Sequence, residues 1–173
     1  MTQKTVVGVI GPNHENCNND IYNFGMKLGE MLTDLDVMIV CGGRKGIMEA
    51  VCQGAKLSEN YNNHTTIGII PSGDKSEANQ FCDIVIPTGI GLARNSIIVN
   101  TADILVAVAG GSGTLSEIAF AWQMNKKVIC YTAFEGWSKE LAGKDLDQRN
   151  AGLLFEAASL EEVISLVKKN LSL

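Results

Sequence analysis

The chain has 173 residues, 46% of them apolar, with 14 basic against 19 acidic side chains and a formal charge of −5. That length supports a single core, and charged residues of only 19% exclude a disordered chain. No net positive field gathers phosphates and aromatics are only 6%, so a nucleic-acid partner is not expected.

The five cysteines (Cys17, Cys41, Cys52, Cys82, Cys130) form no CxxC pair and are odd in number, so neither a disulfide framework nor a metal site is expected. Cys41 and Cys130 sit inside apolar runs, where a thiol behaves as a small hydrophobe. No apolar run approaches 18 residues, and the N-terminus reads as a strand and not a signal peptide. A cytoplasmic protein without membrane partners is the expectation.

In chain order, Val6–Ile10 opens as a continuous β-branched strand, followed by an amphipathic helix over Asp20–Leu32 with Ile21, Phe24, Leu28 and Met31 at three-to-four spacing. Val37–Cys41, Thr66–Ile70, Ile84–Ile86, Ile104–Ala109 and Val128–Tyr131 read as further strands, with Gly152–Ala157 as a short seventh. Helices are expected over Gly46–Leu57, Leu92–Thr101, Thr114–Met124 and Leu160–Leu171, the last capped by Ser159. Continuous apolar strands alternating with helices specify buried parallel pairing. The expected fold is α/β: one domain over 1–173, a Rossmann-like doubly wound three-layer sandwich with a mainly parallel sheet of six or seven strands. Ala133–Asn150 lacks periodicity and reads as a surface excursion, a lid or an oligomer contact.

Three strand ends carry glycine-rich loops: Gly8 and Gly11 around the first, CGGRKG with Gly42, Gly43 and Gly46 after the second, and AGGSGT after the fifth. Ligands of doubly wound sheets sit outside the carboxyl ends of the strands, where a glycine turn and a helix N-terminus present N–H groups to an anion. Three such loops at one edge point to a phosphorylated small molecule. The chain has neither GxxxxGK[ST] nor GxGxxG, which sets aside a P-loop NTPase and a dinucleotide enzyme. Gly110, Gly111, Ser112, Gly113 and Thr114 are the phosphate-binding candidates, and Glu117 stands one turn further on. Thr114-Leu-Ser-Glu117 also matches a capping box, which would give Glu117 a purely structural task. Arg94 is expected at a helix start, where the macrodipole disfavours a cation; a ligand anion or a surface ion pair would account for it. His14 and Cys17 are read as part of a loop lining the ligand pocket and not as a zinc pair.

AGGSGTLSE resembles the PGGxGTxxE signature of the Lonely Guy (LOG) family of nucleoside 5′-monophosphate phosphoribohydrolases, and CGGRKGIMEA resembles that family's second glycine motif. Arg94 falls where the family keeps its catalytic arginine. The run from Gly89 to Trp122 is closer still to a subgroup related to molybdenum-cofactor carrier proteins. Two departures, Ala109 in place of the leading proline and Asn95 after the arginine where LOG enzymes have lysine, set the chain nearer that subgroup. The label "possible lysine decarboxylase" that such chains carry does not fit, since nothing here suggests a Schiff-base lysine.

The resemblance implies two functions. As a phosphoribohydrolase, the chain would hold the 5′-phosphate in its loops and use Arg94 and Glu117 as catalytic residues. Glu117, ionised near a helix N-terminus, would stabilise the oxocarbenium-like charge that develops as the N-glycosidic bond breaks. As a carrier or sensor it would hold a molybdopterin-type cofactor or a nucleotide without chemistry. Neither reading requires a resident cofactor, and both imply a homodimer or tetramer, for which Phe120, Trp122 and Met124 offer an apolar helix.

Overall fold

The computed structural model describes residues 4–149 and 152–172. Asn150, the end of the aperiodic stretch, lies outside them, as do the extreme termini of the expected 1–173 domain. Seven parallel strands form one sheet in the order β4-β3-β2-β1-β5-β6-β7. They are β1 (Val6–Ile10), β2 (Met38–Cys41), β3 (Thr66–Ile70), β4 (Ile84–Pro87), β5 (Ile104–Val108), β6 (Val128–Tyr131) and β7 (Leu154–Ala157). Every strand read from the apolar runs forms, and the sheet is parallel throughout among the described residues.

The helices are α1 (Asn19–Asp34), α2 (Ile47–Ala55), α3 (Asn95–Thr101), α4 (Ser112–Gln123), α5 (Trp137–Leu141) and α6 (Leu160–Leu171). Asn18 caps α1 by accepting from Ile21 N–H at 2.9 Å, and Ser159 caps α6 as its position predicted. The alternate faces of the strands feed two cores. Val7, Val9, Ile39 and Val106 pack with Leu28 of α1, Val51 of α2 and Val163 of α6. Val40, Leu105, Ala107 and Cys130 pack on the other face with Ile98 of α3 and Ile118 and Trp122 of α4. This is the expected three-layer sandwich.

Strand order reverses between β1 and β5, which pair directly. The helices after β1 and β2 therefore lie on one face and those after β4 and β5 on the other, leaving a crevice at the carboxyl ends. Two glycines set the spacing on the first face. A Cβ on Gly29 of α1 would run into Val51 O, and one on Gly54 of α2 into Met26 O, so the two helix backbones nearly touch.

The aperiodic stretch is neither structureless nor a free flap. It contains α5, whose Ser138 is fully buried, and Asp147, whose carboxylate accepts from Trp122 Nε1 at 3.0 Å. Trp122 is 1% exposed, so it belongs to the chain's own core and not to an oligomer contact. Phe120 packs partly against that core, whereas Met124, one turn later, is 38% exposed. Met124 is the C-cap of α4, where the helix ends.

Gly29→Ala is expected to lower unfolding free energy by about 3 kcal/mol, because two helix backbones must separate to admit a methyl group. The urea midpoint measures it, and a change below about 0.5 kcal/mol would contradict the close approach.

Candidate functional site

The crevice at the reversal is a cleft of about 590 Å³. Gly11 from the end of β1, Gly42 from the end of β2, and Gly111, Ser112, Gly113 and Thr114 after β5 line it, together with Arg94 and Glu117. The loop at 13–16, with His14, forms part of the wall as expected, whereas Cys17 is not among the residues that line it. Gly43, Gly46 and Gly110 stand behind the lining and shape it. A Cβ on Gly43 would lie 2.7 Å from Ile70 Cγ2, and one on Gly46, which has φ +82°, would lie 2.6 Å from Pro12 O.

The loop after β5 turns sharply at Ala109 and Gly110, which have φ +47° and +90°. A left-handed conformation costs a non-glycine residue roughly 1–2 kcal/mol, and proline cannot adopt it at all. Ala109 in place of the signature's proline is therefore a structural requirement of this turn. The turn delivers Gly111 as the N-cap of α4, so Ser112 is the first helical residue and Thr114 the third. The capping box is overturned by this register: no side chain caps α4, and Glu117 lies well inside the helix. The N–H groups of Ser112, Gly113 and Thr114 belong to the first turn, where a helix has no internal acceptors for them. They face the anion-favouring end of the dipole. Thr114 itself is 2% exposed and packs its side chain beneath Gly110.

What holds this turn in place comes from the aperiodic stretch. Trp137 N–H donates to Gly110 O at 3.0 Å and Ser138 N–H to Ala109 O at 3.0 Å. The Ser138 hydroxyl lies 2.7 Å from Ala107 O and 2.8 Å from Tyr131 O, joining β5 to β6. Gly136, at φ +139°, admits this approach, since a Cβ there would sit 2.5 Å from Ala109 C. No signal in the sequence marks Ser138, because the contact depends on a chain reversal 31 residues long.

Arg94 ends a short 3-10 turn, Gly91–Arg94, and is buried, so the surface ion pair is replaced by a buried one. Its Nη1 lies 3.6 Å from Glu117 Oε1, with both side chains under one-tenth exposed. Nη1 also donates to Asn95 Oδ1 at 2.7 Å and Nη2 to Gly42 O at 3.4 Å. Among the described residues Nε–H, though buried, has no acceptor. Asn95 in turn donates to Ser116 Oγ at 2.9 Å and to Gly113 O at 3.4 Å, tying the arginine to the start of α4. Burial pushes Glu117 up to about 8 against the pull of Arg94. Burial in this cleft thus favours the protonated carboxyl, against the ionised Glu117 that the helix position suggested. Burial also draws the Arg94 guanidinium down, with Glu117 opposing.

Arg44 pairs with Glu77 at 3.0 Å on the cleft wall. Lys45 is the lining cation that has no carboxylate partner among the described residues. Asn79, buried and unremarked in the sequence, clamps this loop from outside. Its N–H donates to Gly43 O at 2.8 Å and its side-chain amide to Arg44 O at 3.0 Å.

Two outcomes follow from this geometry. Ala109→Pro is expected to cost about 3 kcal/mol or more in urea unfolding, and a stable variant would show that the turn at φ +47° is not needed. Glu117 binds its proton more tightly in the folded protein than in the unfolded chain. Its stabilisation is complete below 4.5, its unfolded value, and is lost as pH rises to about 8. At about 1.4 kcal/mol per unit this amounts to several kcal/mol. Glu117→Gln, which keeps the shape of the protonated form, should flatten the decline in urea midpoint between pH 5 and 8. A parallel decline in both proteins would refute a raised Glu117.

The profile of the SLOG cluster4 family matches residues 4–164. The molybdenum cofactor binding protein from the phototrophic bacterium Rippkaea orientalis is similar in structure, with a TM-score of 0.86 and 34% identity over 99% of each chain. The molybdenum cofactor carrier protein from Chlamydomonas reinhardtii gives a TM-score of 0.83 at 30% identity, covering 98% of this chain and all of its own. An uncharacterized protein of Archaeoglobus fulgidus is 38% identical over 122 residues, 70% of this chain and 76% of its own length. With the match spanning the sheet, all three glycine loops and the Arg94–Glu117 pair, the chain belongs to the SLOG cluster4 family.

Proposed function

We propose that the protein binds and carries a phosphorylated heterocyclic small molecule of the molybdenum-cofactor type. The observation that carries this reading is Arg94 on the cleft wall, whose buried Nε–H lacks an acceptor among the described residues. An unpaired buried donor costs about 1–3 kcal/mol, and a ligand anion removes that cost. The amides of Ser112, Gly113 and Thr114 would take the phosphate. Leu92, 76% exposed, together with Met48 and Pro71, offers the apolar wall that a flat ring system needs. Similarity to a molybdenum cofactor binding protein and to a carrier over nearly the whole chain supports this choice of ligand. No resident cofactor is required, and neither nucleic acid nor membrane enters the reading. A homo-oligomer belongs to it, with exposed Ile86 and Ile90 as apolar surface that a second copy would cover.

A second reading, hydrolysis of a nucleoside 5′-monophosphate to free base and ribose 5-phosphate, is favoured by one observation: the Arg94–Glu117 pair lines the same cleft. Glu117 stabilises positive charge at the breaking bond only once it is ionised, so this activity would rise with pH toward about 8.

Purified protein incubated with molybdenum cofactor, and separately with AMP, separates the two. One pterin retained per chain, weakened at least tenfold in Arg94→Ala, with no adenine released, is the expected result. Release of adenine that needs the 5′-phosphate and is lost in Glu117→Gln would replace the carrier by the hydrolase. Failure to bind either compound would remove both.

A further inference from the structure

Cys41, Cys52 and Cys82 come from three separate elements: the end of β2, the middle of α2 and the loop before β4. Folding brings their sulfurs together, with Cys41 Sγ 3.6 Å from Cys52 Sγ and Cys52 Sγ 3.8 Å from Cys82 Sγ. All three lie within 4.8 Å of one another. Cys41 and Cys52 are fully buried, while Cys82 is partly exposed. The space for Cys82 is made by the sheet itself, because a Cβ on Gly68 of β3 would lie 2.6 Å from its sulfur. None of the three lines the ligand cleft.

We propose that Cys41, Cys52 and Cys82 form a trithiolate site for a soft monovalent cation, Cu(I). Three sulfurs placed about 2.3 Å from one metal in a trigonal array stand about 4 Å apart, close to the separations seen here. Thiolates select Cu(I) and zinc among common ions, and structural zinc takes four ligands. Among the described residues no fourth histidine, cysteine or carboxylate joins the group, which favours the three-coordinate ion.

The surroundings suit a negatively charged complex. Binding releases three thiol protons to solvent and forms three metal–sulfur bonds, leaving two net negative charges. Gly43 N–H already donates to Cys41 Sγ at 3.4 Å. The Arg94 guanidinium packs against Gly42, the next residue along, where a Cβ would lie 2.5 Å from Nη2. A backbone donor thus meets the Cys41 sulfur, and a positive group packs against the residue that follows it. The site is separate from the phosphate cradle but shares the Gly42–Gly43 turn with it.

The test is anaerobic titration of the reduced full-length chain with Cu(I) against a chromogenic Cu(I) chelator, with X-ray absorption on the loaded protein. One tightly held Cu(I) per chain and three sulfurs at about 2.3 Å are expected. Loss of an outer-shell partner already weakens metal binding 10–100-fold, so losing a ligand should cost at least about a hundredfold. Cys82→Ser and Cys52→Ala should both show this, with circular dichroism and melting unchanged for at least one of them. Cys17→Ser and Cys130→Ala should bind as the parent does. Binding indifferent to Cys82→Ser, binding lost in Cys17→Ser, or a two-sulfur shell would overturn the site. Zinc displacing Cu(I) at equal concentration would overturn the choice of ion.

Discussion

The reversal of strand order between β1 and β5 is the constraint on which the rest depends. A parallel sheet needs a crossover for every pair, and each crossover covers one face. Where the order reverses, consecutive helices leave on opposite faces, and the carboxyl ends between them stay uncovered. The three glycine loops, Arg94 and Glu117 all meet in that gap. Had the strands followed sequence order, the same loops would lie strung along one edge.

The cleft is held open by groups that never touch it. Ser138 and Trp137 brace the turn after β5, and Asn79 clamps the turn after β2. This division accounts for Ala109 at φ +47°. A strained residue persists only where its neighbours over-determine it, and here two backbone hydrogen bonds and a buried hydroxyl do so. Such bracing fixes the turn that delivers the first residues of α4 to the cleft.

The electrostatics of the pair at the base of the cleft follow from burial. Two opposite charges 3.6 Å apart would hold each other ionised in water. Removed from solvent, the carboxyl finds its proton less costly than its charge, even beside a guanidinium. Arg94 is left with one donor unsatisfied and an incompletely compensated charge. In the proposed carrier reading, an anionic ligand would answer both.

Much of the fold was legible in the chain, because short continuous β-branched runs and amphipathic spacing are local signals. Val6–Ile10, Thr66–Ile70 and Leu160–Leu171 appear with the bounds their patterns indicate. The glycine loops and Arg94 were legible too, since each loop is built from consecutive residues. What the sequence could not decide depends on register and on distant packing. The first helical residue of α4 is Ser112 and not Thr114, and that two-residue shift removes Glu117 from its cap. Trp122 turns inward to pack with sheet residues and donate to Asp147 across a separate segment. The charge on Glu117 and the meeting of Cys41, Cys52 and Cys82 were decided only by tertiary structure. A local pattern constrains backbone conformation residue by residue, whereas desolvation and proximity between separate elements exist only once the layers have closed.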